Sequence, residues 1–224
     1  MLDDAQKLNE IIQLGSELNN VQDLDILLEK ILREARKILN ADAGSIQIKE
    51  GDELVFNHVQ TDSLEAHLPP GERKPYVSFR HKINKQSLSG YAASTGEMLN
   101  IADAYAIPKD APYKFDSTND KKTNYKTKSM LTIPLKNMRN EILGVMQIVN
   151  SLRSDSKGNN YLQDDSVGFF DETDELIALH FANIASMILQ RAQMTRALIL
   201  RMISMAELRD PKETGPHVNR VASY

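Results

Sequence analysis

The spacing of apolar and polar positions along this chain changes twice, which divides it into a helical start, an extended middle and a helical end. Residues 23–39 repeat apolar side chains three and four positions apart behind Asp23, a residue type that begins helices. Residues 3–18 show a weaker pattern of the same kind, interrupted by Gly15. The period changes at Gly44: residues 45–49 alternate between polar and apolar side chains and residues 53–60 do so more loosely, which predicts strands.

The middle of the chain predicts an antiparallel sheet and one short helix. Strands are predicted at 45–49, 53–60, 76–82, 98–102, 129–136 and 141–150, and the short helix at 87–94. The strand at 141–150 is apolar on both faces at its middle, so it should be central and covered by helices. These elements predict an α+β fold, a central antiparallel sheet with helices gathered on one face.

Residues 106–127, here named the lid segment, show no periodicity and carry Pro108 and Pro112. Segments of this length inside compact domains are uncommon unless they act as lids or are disordered. We therefore expect this segment to cover a site on the sheet.

Residues 171–210 contain neither Gly nor Pro and predict one long helix. Its apolar positions recur at helical spacing, at Ile177, Phe181, Ile184, Ile188, Leu198, Met202 and Met205. At 1.5 Å per residue the helix would span roughly 60 Å, more than one small domain needs. We expect its second half to bury the stripe against the same helix of a second chain, in a homodimer formed through the N-terminal and C-terminal helices. The alternative is a break near Arg191 and Thr195, with local packing beyond it.

Composition adds several exclusions. The chain of 224 residues has 27 Lys and Arg against 31 Asp and Glu, so nucleic-acid binding has little electrostatic support. The acidic N-terminus does not resemble a signal peptide, and no apolar run approaches a membrane span, which predicts a cytoplasmic protein. The absence of Cys excludes disulfides, iron–sulfur clusters and cysteine-ligated zinc.

Two stretches carry a resemblance to a known family: LSGYAASTGEMLNIADAY (residues 88–105) and TKSMLTIPLKNMRNEILGVMQIVN (residues 127–150). They resemble GAF domains, and look most like the regulatory GAF domains of cyclic-nucleotide phosphodiesterases. The family's dispersed motif is Asn-Lys, then Phe, three residues and Asp-Glu, matched here by Asn150, Phe170, Asp174 and Glu175. Ser151 stands where the family has Lys, which is implicated in a salt bridge with the motif Asp. This departure counts against cyclic-nucleotide binding unless Arg153 substitutes.

The same resemblance implies a ligand pocket. The positions it carries over to this chain are Ser45, Leu88, Ser89, Thr123, Thr127 and Gln147. Hydroxyl and amide groups converging under a lid suit a purine or a similar flat polar ligand, so a cyclic nucleotide or a similar small molecule is the candidate ligand. The alternative is a ligand-free GAF dimerisation module, in which Ser45 and Gln147 are ordinary sheet residues.

The last stretch, AELRDPKETGPHVNRVASY (residues 206–224), resembles the opening of HD-GYP domains, bacterial metal-dependent phosphodiesterases that hydrolyse cyclic di-GMP. The matching positions are Arg209, Asp210, Thr214, His217, Arg220 and Val221. Glu213 precedes His217 by four residues, which would place both side chains on one helical face. The resemblance implies that these two residues bind a divalent metal, iron or manganese, in the intact parent protein. Spacing alone favours an ordinary exposed acid and a surface histidine.

The sequence thus predicts four parts: an N-terminal helix (1–20), a GAF sensory domain (21–190), a connector helix (191–210) and the start of a truncated HD-GYP domain (211–224). We expect the sensory and connector part of a cyclic di-GMP phosphodiesterase. No catalytic residue and no cofactor are expected within this chain itself, because two candidate ligands are too few to hold a catalytic metal cluster. The alternative in which the chain is itself an enzyme requires phosphodiester hydrolysis with metal added, and we expect none.

Overall fold

A computed structural model describes residues 23–65, 80–152 and 167–209. Its strands form one antiparallel sheet in the order β3-β2-β1-β6-β5-β4. The strands are β1 (Ala41–Glu50), β2 (Glu53–Thr61), β3 (Arg80–Lys82), β4 (Leu99–Ile101), β5 (Met130–Lys136) and β6 (Ile142–Ser151). The helices are α1 (Leu24–Ile38), α2 (Asp62–Glu65), α3 (Leu88–Thr95), α4 (Thr118–Thr123) and α5 (Glu172–Arg209), with a 3-10 turn at Ala104–Ala106. The predicted helix at 3–18 and the start of the strand predicted at 76–82 lie outside the described residues.

The helix α1 forms where its sequence predicts it. The Asp23 side chain accepts a hydrogen bond from the backbone N–H of Asp25 at 2.9 Å and so satisfies a free donor of the first turn. The apolar face of α1, which includes Leu28, Ile31 and Leu32, is fully buried. An added Cβ at Gly44 of β1 would lie 2.9 Å from Leu32 Cδ1, so the lack of a side chain there lets α1 approach the sheet.

The strand β6 is central, as its apolar character on both faces predicts. It pairs with β1 on one side and β5 on the other. Met146 and Ile148 face the layer formed by α1 and α5. Val145 and Val149 belong to the opposite face, where α3 contributes Ala93 and Leu88. The two long helices therefore share one face, while α3 and the lid segment cover the other.

The helix α5 is continuous from Glu172 to Arg209, so no break occurs near Arg191. Its first half packs on the sheet through Phe181, Ala185 and Leu189, all almost fully buried. No residue of α5 beyond Leu189 belongs to the core clusters found among the described residues.

The apolar stripe predicted along α5 consists of two stripes on different faces. Ile177, Phe181, Ile184 and Ile188 face the core. A second set, here named the outward stripe, points away from the domain. At about 100° per residue its apolar members share one face, on which Asn183 and Arg201 are also found: Leu176, Met187, Met194, Leu198 and Met205. Leu198 and Met205 therefore belong to the outward stripe and do not continue the core stripe.

Candidate functional site

A row of polar side chains crosses the sheet on the face covered by α3 and the lid segment. Ser45 on β1 lies opposite Gln147 on β6, and Gln147 lies opposite Thr132 on β5. The Gln147 amide donates to Thr132 Oγ1 at 3.2 Å. Ser45 and Thr132 are buried and Gln147 is half-buried, so Ser45 and Gln147, two of the predicted pocket residues, do come together.

Gln47, two residues after Ser45 on the same face, extends this polar row. Its Nε2 donates to Gln147 Oε1 at 2.8 Å, and the side chain is completely buried. Its Oε1 has no hydrogen-bond partner in the described structure. A buried acceptor of this kind costs free energy unless a water or a ligand donates to it. The alternation of SIQIK places Gln47 on the Ser45 face and could have identified it from the sequence.

Leu88 and Ser89 lie in the first turn of α3 and are both buried. Ser87 caps the start of the helix, where its Oγ accepts from Gly90 N at 3.1 Å, and Gly96 caps its end in the left-handed region with φ 73°. Leu88 packs in the same apolar cluster as Ala43, Met130 and Val149 of the sheet. These two positions therefore lie against the sheet face that carries the polar row.

The other two predicted pocket residues, both in the lid segment, hydrogen bond within that segment. Thr123 Oγ1 donates to the carbonyl of Asn119 one turn earlier in α4. Thr127 donates from its N–H and its hydroxyl to the carboxylate of Asp120, at 2.7 and 2.9 Å. Asp120 is buried and also accepts from the Tyr105 hydroxyl at 2.8 Å. Burial, followed by this hydrogen bond, raises the pKa of Tyr105 to about 12.

The motif residue Asn150 anchors the end of the lid segment to β6. Its side chain donates to the Lys126 carbonyl at 2.8 Å and to the Tyr125 hydroxyl at 2.9 Å, and it accepts from Lys128 N at 2.7 Å. Asn150 is buried and has a φ of 59°. Tyr125 in turn donates to Asp42, and its burial beside that carboxylate raises the pKa of the phenol. Sequence reasoning did not identify Asp42, Asp120 or Tyr125.

The remaining motif residues fix the start of α5. Phe170 is buried in the main core. Asp174 N–H donates to Asp171 Oδ1 at 2.9 Å, while Asp171 N–H donates to Asp174 Oδ2 at 3.1 Å, a reciprocal cap. The Glu175 carboxylate accepts from Asn100 of β4 at 2.7 Å. In the described structure these contacts hold the fold together, while Arg153, the candidate replacement for the missing Lys, lies outside the described residues.

Two open clefts flank Tyr105 on the outer side of the lid segment. One, of about 700 Å³, is lined by Asp103, Tyr105, Asp120, Lys121, Asn124, Tyr125, Lys126 and Lys128. The other, of about 420 Å³, is lined by Ala104, Tyr105, Ile107, Pro108, Lys109, Lys114, Phe115 and Ser117. None of the six predicted pocket residues lines either cleft. The side chains of those six residues are instead buried or hydrogen bonded to neighbouring groups.

The described ranges hold no group of three or more His, Asp or Glu side chains placed to bind a metal ion. Glu213 and His217 lie outside those ranges. Likewise, none of the helices between residues 23 and 209 that the structure describes combines the length and apolar character that a membrane crossing requires.

The antiparallel sheet, its layer of two long helices and the lid segment on the opposite face define an α+β domain with both sheet faces covered. The family model described as "GAF domain" matches residues 23–201, and the chain therefore belongs to the GAF domain family.

Known proteins of this family are similar over most of the chain. A cGMP-specific 3',5'-cyclic phosphodiesterase of Drosophila melanogaster is 29% identical over 201 residues, which cover 86% of this chain but 16% of that protein. This chain thus spans about one sixth of the length of the curated relatives it matches.

Solved structures share the fold at low identity. The GAF domain of a phosphoenolpyruvate-protein phosphotransferase from Coxiella burnetii has a TM-score of 0.61 at 21% identity, over 85% of this chain and 96% of that one. Free methionine-R-sulfoxide reductase from Neisseria meningitidis has a TM-score of 0.60 at 16% identity, over 87% and 96% of the two chains.

Proposed function

We propose that this chain is the ligand-sensing GAF module of a larger cytoplasmic signalling protein, in which a small flat polar ligand binds between the sheet and the lid segment. The observation that carries this proposal is the buried polar row with the unpaired Oε1 of Gln47. An N–H or O–H of a ligand would satisfy that acceptor, and the hydroxyls of Ser45 and Thr132 lie along the same row. A purine carries both donors and acceptors on its edge, which makes a cyclic nucleotide the first candidate.

Calorimetric titration and thermal shift with cyclic AMP, cyclic GMP and cyclic di-GMP test the ligand. A ligand at 100 times its dissociation constant should stabilise the fold by about 2.7 kcal/mol. Gln47→Met keeps the length of the side chain but removes the acceptor, so it should weaken binding about tenfold or more, since a site built around a hydrogen bond discriminates strongly against its loss. Ser94→Ala, on the exposed side of α3, is the control and should bind as the wild type does.

A second candidate, a ligand-free dimerisation module, is favoured by a different observation. Thr127, Thr123 and Gln147 already hydrogen bond to neighbours, and neither open cleft reaches the polar row. If no nucleotide shifts the melting temperature, and if Gln47→Met has the melting temperature of the wild type, the ligand-free dimerisation module is the better account of this domain.

We further propose a homodimer in which the outward stripe of α5 packs against its copy. Leu176, Met187 and Met194 on this stripe are 63 to 69% exposed, an apolar surface that water disfavours. Its apolar positions recur at intervals of eleven residues, at 176, 187 and 198 and again at 194 and 205. An 11-residue repeat gives 3.67 residues per turn, so the paired helices should be nearly straight or wind slightly to the right.

Asn183 and Arg201 are polar members of the face that carries the outward stripe, and Asn183 lies eleven residues before Met194. A single polar residue at a helix interface lowers the stability of the pair but selects one register, because its amide needs a polar partner. Asn183 therefore favours the alignment in which it meets a polar group of the second chain.

The dimer is tested by measuring mass with analytical ultracentrifugation. Met187→Glu combined with Met194→Glu places charges on the stripe and should convert dimer to monomer, because each carboxylate would have to be buried against its copy. Gln193→Glu adds a charge to an exposed position on another face of the same helix and should leave the dimer intact. A wild-type monomer at micromolar concentration would contradict this part of the proposal.

We propose that the parent protein is an HD-GYP-type cyclic di-GMP phosphodiesterase whose iron or manganese is bound in part by Glu213 and His217. This rests on the sequence of residues 206–224. The reading frame beyond Tyr224 should then encode a His-Asp pair and a Gly-Tyr-Pro motif. A different downstream domain would leave the sensory role of residues 21–190 in place and remove the hydrolase.

A further inference from the structure

Asp42, the second residue of β1, is a buried carboxylate that contacts both layers of the domain. It is 2% exposed, and charged side chains are seldom buried to this degree without partners. Its Oδ1 accepts from Ser63 N–H at 3.0 Å, and its Oδ2 accepts from Ser63 Oγ at 2.7 Å. Ser63 belongs to α2, directly after β2.

The lid segment reaches Asp42 through Tyr125. The Tyr125 hydroxyl donates to Asp42 Oδ2 at 2.7 Å while it accepts from Asn150 Nδ2 at 2.9 Å. Removal of this hydroxyl leaves a buried carboxylate with one donor fewer and a buried amide N–H without its acceptor. Both groups then pay a desolvation cost, so the position of Tyr125 and the environment of Asp42 are energetically linked.

The helix layer reaches Asp42 through Arg36 of α1. Arg36 Nη2 donates to the Asp42 carbonyl at 2.5 Å and pairs with Asp62 at 2.6 Å, and Nη1 donates to Gln60 at 3.0 Å. The guanidinium is buried, and this set of acceptors is confined to β1, β2 and α2. Since α1 also packs against α5 in the main core, a shift of Arg36 would move α1 against the first half of α5, whose second half is the connector.

We propose that Asp42 is a latch that joins the lid segment to α1, so that release of Tyr125 loosens α1 and its packing against α5. Resting on the sensory role proposed above, this latch would transmit a change in the lid segment across the sheet to α1 and α5. The latch is a property of the protein without ligand, so its test succeeds or fails independently of whether a nucleotide binds.

Hydrogen exchange followed by mass spectrometry tests the latch with two matched variants of the full chain. Tyr125→Phe removes the hydroxyl that donates to Asp42, and Tyr105→Phe removes another tyrosine hydroxyl of the same region, which donates to Asp120 instead. Tyr125→Phe should speed exchange about tenfold, the factor that corresponds to about 1.4 kcal/mol, in peptides from residues 124–128 and also from α1. Tyr105→Phe should speed exchange only near residues 104–128.

Faster exchange confined to the lid segment in Tyr125→Phe would overturn the latch, as would an equal loosening of α1 by both variants.

Arg36→Lys tests the link from the other side, because coupling between two sites is reciprocal. Lys can still pair with Asp62 but loses the forked contact with the Asp42 carbonyl and Gln60. Although the hydrogen bonds of Arg36 described above do not involve the lid segment, its replacement should speed exchange at residues 124–128. An unchanged lid segment in this variant also overturns the proposal, so a poorly folding Tyr125→Phe does not leave it untested.

Discussion

At the scale of single residues, the motif asparagine shows how a family signature acts in this fold. Asn150 was predicted from the resemblance to GAF domains, and the structure places it beneath the end of the lid segment. It combines a left-handed backbone with three side-chain hydrogen bonds to the segment 125–128. Asn adopts this conformation more readily than other residues with a Cβ, and its amide can donate and accept at once.

Asn150→Gly should therefore destabilise the fold by about 2–3 kcal/mol, because the backbone is kept while three buried bonds are lost. Urea unfolding measures the change. Asn140→Gly is the matched control, since Asn140 has a φ of 61° in the exposed β5–β6 turn. It should shift stability by less than about 0.5 kcal/mol. Equal losses in the two variants would show that the backbone conformation, and not the anchoring of the lid segment, is what Asn150 supplies.

Two histidines make stability depend on pH. Burial lowers the pKa of His58 below 6.5, and Asp25, 3.4 Å away, only partly offsets it; burial also lowers the pKa of His81. The unfolded chain therefore binds protons more readily than the folded chain at pH values just below 6.5. Stability should rise with pH through this window and level off above it.

His58→Gln should reduce this pH dependence, because one of the two contributing groups no longer titrates. The measurement is the urea midpoint at about pH 5.5 and about pH 7.5. The double variant with His81→Gln should flatten the profile further. If His58→Gln keeps the full wild-type slope, the buried imidazole is not its source.

At the scale of elements, α3 shows a conflict between helix propensity and tertiary contact. Gly90 lies inside this helix, where Ala is intrinsically better by about 1 kcal/mol. A Cβ at Gly90 would, however, lie 2.1 Å from the Asn84 carbonyl oxygen and 2.7 Å from Ser87 Oγ. The turn before α3 is thus packed directly against the helix, which only a glycine permits.

Gly90→Ala should destabilise the protein by about 2 kcal/mol or more, since the clash is with backbone and cannot be relieved by a side-chain rotation. Urea unfolding of Ser94→Ala, an exposed position of the same helix, supplies the reference. This variant loses the bond from Ser94 Oγ to the Gly90 carbonyl at 2.7 Å, but such a bond does not stabilise a helix, so its stability should lie within about 0.5 kcal/mol of wild type. A gain of stability in Gly90→Ala would mean that the approach of residue 84 is looser than this structure describes.

At the scale of the whole molecule, the first half of α5 is packed in the core and its second half is largely exposed. Up to Leu189 it completes the core of the domain, and beyond that residue its described side chains belong to no core cluster. A chain ending at residue 191 should keep the far-UV circular dichroism and the cooperative unfolding of the domain, because every α5 residue of the main core is retained.

The same truncation should lower the association constant of the homodimer proposed above, because Met194, Leu198 and Met205 of the outward stripe are removed. Sedimentation at several concentrations measures it. An unchanged dimer would place the interface elsewhere, and the first 22 residues would be the next to remove. The comparison with Met187→Glu plus Met194→Glu then separates loss of the stripe from loss of the helix end.

Much of the fold could be predicted from periodicity because each element carries its own signal. The local spacing of apolar residues predicts several of these elements: the helix at 24–38, the strands on both sides of the turn at 137–140 and the unbroken helix at 172–209. The resemblance supplied the family, and Asn150, Phe170, Asp174 and Glu175 proved to be well-placed structural residues. The prediction failed to separate the two stripes of α5, since apolar spacing alone does not show which face meets the core.

The sequence by itself determined the class of fold, the central place of β6 and the extent of the lid segment, because these depend on the order and periodicity of residues near one another in the chain. The GAF family followed from the resemblance of two stretches to known domains. Only the tertiary structure revealed Gln47 with its unpaired acceptor, the carboxylates of Asp42 and Asp120, and Tyr125 between Asp42 and Asn150. These groups come from segments as much as 108 residues apart, from Asp42 to Asn150. Their role depends on their burial and on their hydrogen-bond partners. Burial and partners are fixed only when the sheet brings distant strands together.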